Sequence, residues 1–167
     1  MGSLTKQGAY GTFLADTLKR IADSLSLPME EMIARSLLVS VDNAHANHPN
    51  HPEVSDASTS VLLNEGIVIK YNANQTYTTD GLSAALLKNI VKEANIPFQD
   101  FTNRSDLRGG STLGNLSNNQ ISINSVDIGI AQLAMHSSNE LCGLKDVDRM
   151  SQLMKEFFSS KIEIKSL

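Results

Sequence analysis

Ile67-Val-Ile-Lys-Tyr71 and Phe98-Gln-Asp-Phe-Thr102 bracket a segment of helical periodicity, and this arrangement decides the fold class. The first is a short, β-branched apolar run of strand length. Thr79 or Asp80 can then cap a helix running to about Ala94, with Leu82, Leu86, Ile90 and Val91 on one face. Asn95 and Pro97 end it, because proline cannot continue a helix, and residues 98–102 supply the next strand. Strand, helix and strand in that order mark an α/β layer.

Working outward, Leu37-Leu-Val-Ser-Val41 is a compact β-prone run that stops at Asp42. Asn43 to about Ser60 is polar and proline-bearing, a loop long enough to suggest a functional role. Residues 121–128 alternate well enough for a further strand. Phe13, Leu14, Leu18, Ile21, Ala22 and Leu25 recur at helical spacing, so residues 11–25 read as an amphipathic helix. Pro28 suits the first turn of a short helix carrying Met29, Met32 and Ile33. Asp146 can cap a last helix whose Val147, Met150, Leu153, Met154, Phe157 and Phe158 form a core stripe. The expected architecture is α/β, a layered α/β/α sandwich with a mixed, mostly parallel sheet and no linker dividing it.

The 167 residues are 41% apolar and 19% charged, with 14 basic against 18 acidic residues and a net charge of −4. No basic block exists to reward a nucleic-acid or anionic-membrane partner. No stretch has the length and apolarity of a membrane span, and Met1 to Tyr10 lacks the pattern of a secretory signal. The single cysteine, Cys142, excludes an internal disulfide framework and agrees with a reducing, cytoplasmic setting. With no histidine near it in sequence, it is expected to be a small buried hydrophobe.

The residues able to carry chemistry cluster by position. His45, His48 and His51 lie in the loop after the first strand, and Asp42 stands where strand becomes loop, a common functional location in α/β sheets. Imidazole and carboxylate are standard zinc ligands. The same spacing fits a surface metal site or polar loop filler. His136 follows a strand beside apolar residues and suits either a hydrogen-bonded core histidine or a ligand. Lys70, near the end of an apolar strand, must snorkel, pair with a carboxylate or point into a site. Asp106 to Gly114 has the composition of an anion-binding turn at a helix start, a weak signal alone.

Together these segments resemble the aspartyl aminopeptidases. Ser40-Val-Asp-Asn-Ala-His-Ala-Asn-His-Pro-Asn50 is similar to that family's Asp-x-Ala-His-Ala-x-His-Pro-Asn signature. Gly66-Ile-Val-Ile-Lys-Tyr-Asn72 is similar to its Gly-Pro-Val-Ile-Lys-x-Asn segment. Asn103 to Gly114 and Asp127 to Ser137 resemble two more blocks, in the family's order. The resemblance implies the α/β catalytic domain of a dinuclear zinc exopeptidase, with residues 1–167 as its C-terminal portion. It implies zinc as cofactor, Asp42 as a carboxylate ligand on one ion and His136 as an imidazole ligand on the other. It implies that His45, His48, Lys70 and Tyr77 line the substrate site, with His48 a candidate for that of a neighbouring subunit. A cation at Lys70 suits an acidic N-terminal side chain on a peptide substrate.

Gly2 to Ala9 resembles the turn that follows the family's Glu-Glu pair, which holds the general base and a metal ligand. The catalytic glutamate is therefore expected just before Gly2, and the chain alone is expected to be inert. The remaining ligands and the inserted domain are expected upstream. A homo-oligomer is implied for the complete enzyme. The competing expectation is a non-catalytic remnant that keeps the fold and associates with related subunits.

Overall fold

A computed structural model describes residues 3–107 and 109–162. Strands β1 (Leu37–Val41), β2 (Ala44–His45), β3 (Ile67–Tyr71), β4 (Phe98–Thr102), β5 (Asn124–Gly129), β6 (Ala131–Leu133) and β7 (Leu141–Cys142) form two sheets. Helices are α1 (Phe13–Leu25), α2 (Met29–Ala34), α3 (Gly81–Glu93), α4 (Leu113–Asn118) and α5 (Leu144–Ser159). The main sheet has the order β1-β5-β3-β4, with β1/β5 and β3/β4 parallel and β5/β3 antiparallel. It is the mixed sheet expected. The small sheet, β2-β6-β7, contains strands of two or three residues, too short to leave a periodic signature in sequence.

Alternation along β3 serves both faces. Ile67 and Ile69 join Leu87, Ile90 and Val91 of α3, Val126 and Ile128 of β5 and Leu153 of α5 in one core. Val68 turns the other way, to Phe101 of β4, Ala44 of β2, Ala131 of β6 and Tyr77. Each fully buried Val or Ile is worth roughly 1.5–3 kcal/mol, which makes β3 the sheet's anchor. The helix after it is fixed by a reciprocal cap: the Asp80 carboxylate accepts from Ser83 N, while Ser83 Oγ accepts from Asp80 N.

Several expectations need correction. The α3 core face is Ser83, Ala84, Leu87, Ile90 and Val91, with Leu82 left at the surface, because the capping box sets the helix one step round. The helix α5 begins after Gly143, so Asp146 is not its cap. Asp146 is instead fully buried and accepts from Asn64 N at 2.6 Å and Gly66 N at 2.9 Å, while Arg149 pairs with it at 3.1 Å. A buried carboxylate needs such donors, and here they hold the turn that leads into β3. Val147 and Phe158 face water. The strand expected over residues 121–128 is β5, which starts at Asn124, with Ile121 buried ahead of it. Cys142 is exposed on the edge strand β7. No described helix is long and apolar enough to cross a membrane.

Candidate active site

Two parallel ribbons, β1 into β2 and β5 into β6, run side by side, bonded by Asp42 N to Ile128 O, Ala44 N to Ile130 O and Ala46 N to Gln132 O. The ribbon breaks at Asp42 and Asn43, which places the Asp42 side chain at a bend rather than in a regular ladder. Gly129 makes this possible, since a Cβ there would collide with the Asp42 carbonyl oxygen. Asn43 fixes the bend from the other side by donating its amide to Gln132 Oε1 at 2.8 Å.

Lys70 comes to the same bend from β3. Its side chain is 3% exposed, and its ammonium donates to Asn43 O at 3.2 Å and lies 5.0 Å from the Tyr77 ring centre. No carboxylate among the described residues forms an ion pair with it, so it is neither a snorkelling nor a paired lysine. Burial lowers its pKa, while the Asp42 and Asp127 charges oppose that shift. Asp127 comes from β5, one step along the antiparallel register from the Ile69–Ile128 pair. It is fully buried and accepts from Thr78 N at 2.6 Å and Thr78 Oγ1 at 2.9 Å, leaving its Oδ1 without a partner.

His45 lies on β2 next to Gln132 of β6. Crowding by the surrounding chain lowers its pKa most, followed by the nearby His136 and Lys70 charges. The shift favours the neutral imidazole, which can accept a hydrogen bond. His136 sits in the β6–β7 turn with φ 68, its N–H donating to Glu140 Oε1 at 2.6 Å, and its ring is exposed. It is not the core histidine that its apolar neighbours allowed. Tyr77 is buried beside Phe101, and burial raises its pKa while a hydrogen bond from Asn103 opposes the rise.

The fold thus gathers Asp42, His45, Lys70 and Tyr77 around the β1–β2 bend, and the His136 charge acts on His45 from the β6–β7 turn. His48 makes its contacts within its own loop. Its Nδ1 accepts from Asn50 N at 3.2 Å and its ring lies 5.4 Å from that of His51, whose Nδ1 faces Glu53. Asn47 pins this loop by bonding Val61 O and Ser60 Oγ. The glycine-rich segment leads only into the six-residue α4, and Thr112 provides no side-chain cap there. Asp127 and Asn103 escaped the sequence reading. The pairing of β3 with β5 could have pointed to Asp127; nothing local marks Asn103.

The Asp42 carboxylate and the His136 ring have no hydrogen-bond or ion-pair partner among the described residues, and their donor chemistry fits zinc. No three His, Cys, Asp or Glu side chains among the described residues converge to hold a metal ion, so an ion here needs further donors. The position expected for the catalytic glutamate, before Gly2, and both Gly2 and Arg108 of the resembling blocks lie outside the described residues.

The sequence pattern of the family described as aminopeptidase I zinc metalloprotease (M18) matches residues 1–158. A probable M18 family aminopeptidase 2 of Clostridium novyi is 44% identical over 95% of this chain. The chain spans 37% of that relative's length. The crystal structure of prApe1 superposes with a TM-score of 0.90 at 31% identity, covering 95% of this chain and 34% of that one. The Saccharomyces cerevisiae mApe1 dodecamer gives 0.83 at 30% identity, covering 95% and 35%.

Proposed function

Because the chain belongs to the aminopeptidase I zinc metalloprotease (M18) family, we propose that it supplies part of the active site of a zinc aminopeptidase acting on peptides with N-terminal Asp or Glu. The observation that carries this reading is Lys70, a buried ammonium with, among the described residues, a single hydrogen bond and no carboxylate ion pair. Burying a charge without a partner is costly. A substrate carboxylate would relieve that cost and select for acidic residues.

In this reading Asp42 holds one zinc ion and His136 the other. Bound zinc would polarise the scissile carbonyl and lower the pKa of water. Lys70 binds the substrate's acidic side chain, Tyr77 walls the pocket and donates a hydrogen bond from its hydroxyl, and His45 accepts a hydrogen bond from substrate. His48 is proposed to serve a neighbouring subunit's site in a homo-oligomer, a suggestion favoured by the dodecameric yeast relative. The general base and further ligands are assigned to sequence before Gly2. With only two donors placed here, the 167-residue chain assayed alone with zinc should show no turnover. A cytoplasmic setting belongs to the same proposal, supported by the unpaired thiol of Cys142.

The test joins this chain to the portion of the Clostridium novyi relative that it does not match. With zinc, the joined protein should cleave Asp-peptides, and a chelator should abolish the activity. Lys70→Met should lower kcat/KM for Asp-peptides about ten- to hundredfold, the value of one charge-assisted hydrogen bond. Leu-peptides should lose much less. Equal losses for both would end the specificity claim.

A further inference from the structure

Asn103 ends the β4 segment and reaches across to Tyr77, its Nδ2 donating to the phenol oxygen at 3.0 Å. Asn103 can sit there because Gly109 faces it. A Cβ on Gly109 would come within 2.5 Å of Asn103 Nδ2 and 3.1 Å of its Cγ. Once the phenol oxygen accepts this bond, its own hydrogen is directed elsewhere, since a phenol has one proton to donate. Among the described residues no acceptor takes that proton. The other side of the ring carries the Lys70 ammonium at 5.0 Å, and Phe101 packs beside it.

We propose that Asn103 is a positioning residue that fixes Tyr77 as a hydrogen-bond donor toward the Lys70 cluster, and that the bare Cα of Gly109 is what lets it do so. Rested on the aminopeptidase reading, the acceptor Tyr77 addresses is a carbonyl or carboxylate oxygen of the peptide substrate. An aspartate at 103 would have the same shape and the opposite polarity: it would accept the phenol proton and turn Tyr77 away from substrate.

Asn103 bonds the phenol oxygen, Lys70 lies over the ring, and the Asp42 and Asp127 charges act on it. Burial raises the Tyr77 pKa and the Asn103 donor opposes it, because that donor stabilises the phenolate. Removing the donor while keeping the packing must therefore move ionisation further up. Loosened packing that admits water would move it down, toward the ordinary tyrosine value. The two causes differ in sign.

The experiment follows ionisation of the three tyrosines, Tyr10, Tyr71 and Tyr77, in the 167-residue chain. Tyrosine labelled with carbon-13 at the hydroxyl-bearing ring carbon reports each by NMR. In Asn103→Leu and in Gly109→Ala, Tyr77 should be less ionised than wild type at the wild-type midpoint, with Tyr10 and Tyr71 unmoved. Gly109→Ala keeps the asparagine and adds one methyl that pushes its amide off the phenol, so it decides the matter if the Leu variant fails to fold. An unchanged or lowered Tyr77 midpoint would overturn the assignment. This readout needs no catalysis, so it can fail while the aminopeptidase reading stands, and can succeed while that reading falls.

Discussion

The helices α1 and α3 are each thirteen residues long, and the molecule treats them in opposite ways. In α3, Asp80 and Ser83 close a reciprocal cap, and five residues are buried against β3 and β5. In α1, the Thr12 hydroxyl donates to the Asp16 side chain, no side chain caps the backbone, and Ala22 alone is buried. Yet the segregation of apolar from polar residues is sharper in α1, whose Phe13 is 81% exposed and Leu25 60%. Periodicity announces that a helix has an apolar face. It does not announce a partner. Packing, not pattern, supplies most of a helix's stability in a protein, so these two helices must differ in what they contribute to the fold.

The largest expected effect follows from Leu87, which is fully buried between α3 and the sheet. Leu87→Ala should cost about 2–5 kcal/mol in chemical denaturation, the loss of burial plus the cavity left behind. The matching substitution in α1 should be the smallest. Phe13→Ala should stay within about 0.5 kcal/mol of wild type, as for other surface changes away from caps and cores. A large loss at Phe13 would break the comparison and show that α1 is covered in solution.

The same contrast explains what sequence could and could not deliver. The strand runs 37–41, 67–71 and 98–102 coincide with β1, β3 and β4, because continuous apolar segments bounded by turn residues carry a local signal. The face of α3 was misjudged because Leu82 is apolar but falls in the first turn, where the Asp80–Ser83 cap sets the rotation. Asp146 has the composition of a cap, yet it is claimed by Asn64 and Gly66, 82 and 80 positions away. No local rule contains that distance. Cys142 was assigned to the interior on residue type alone and lies on an edge strand instead.

At the candidate site, the family resemblance points to Asp42, His45, His48, Lys70, Tyr77 and His136; the β1–β2 bend brings Asp42, His45, Lys70 and Tyr77 together, while His48 makes its contacts within its own loop. The physics of the cluster was not readable from the chain. That Lys70 lacks an ion pair depends on where three strands and Asn43 O come together. That Tyr77 has a donor on its oxygen depends on a glycine 32 positions later, through Asn103. Spacing in sequence carries neither fact.

The central claim is that Asp42 and His136 are ligands of one dinuclear zinc centre. Crystals of the joined protein, measured at the zinc absorption edge, test it most directly. The account predicts two anomalous peaks about 3.5–4 Å apart, one about 2.0–2.2 Å from the Asp42 carboxylate and the other about 2.0–2.1 Å from a His136 ring nitrogen. Zinc bound elsewhere, with either side chain left unligated, would contradict it.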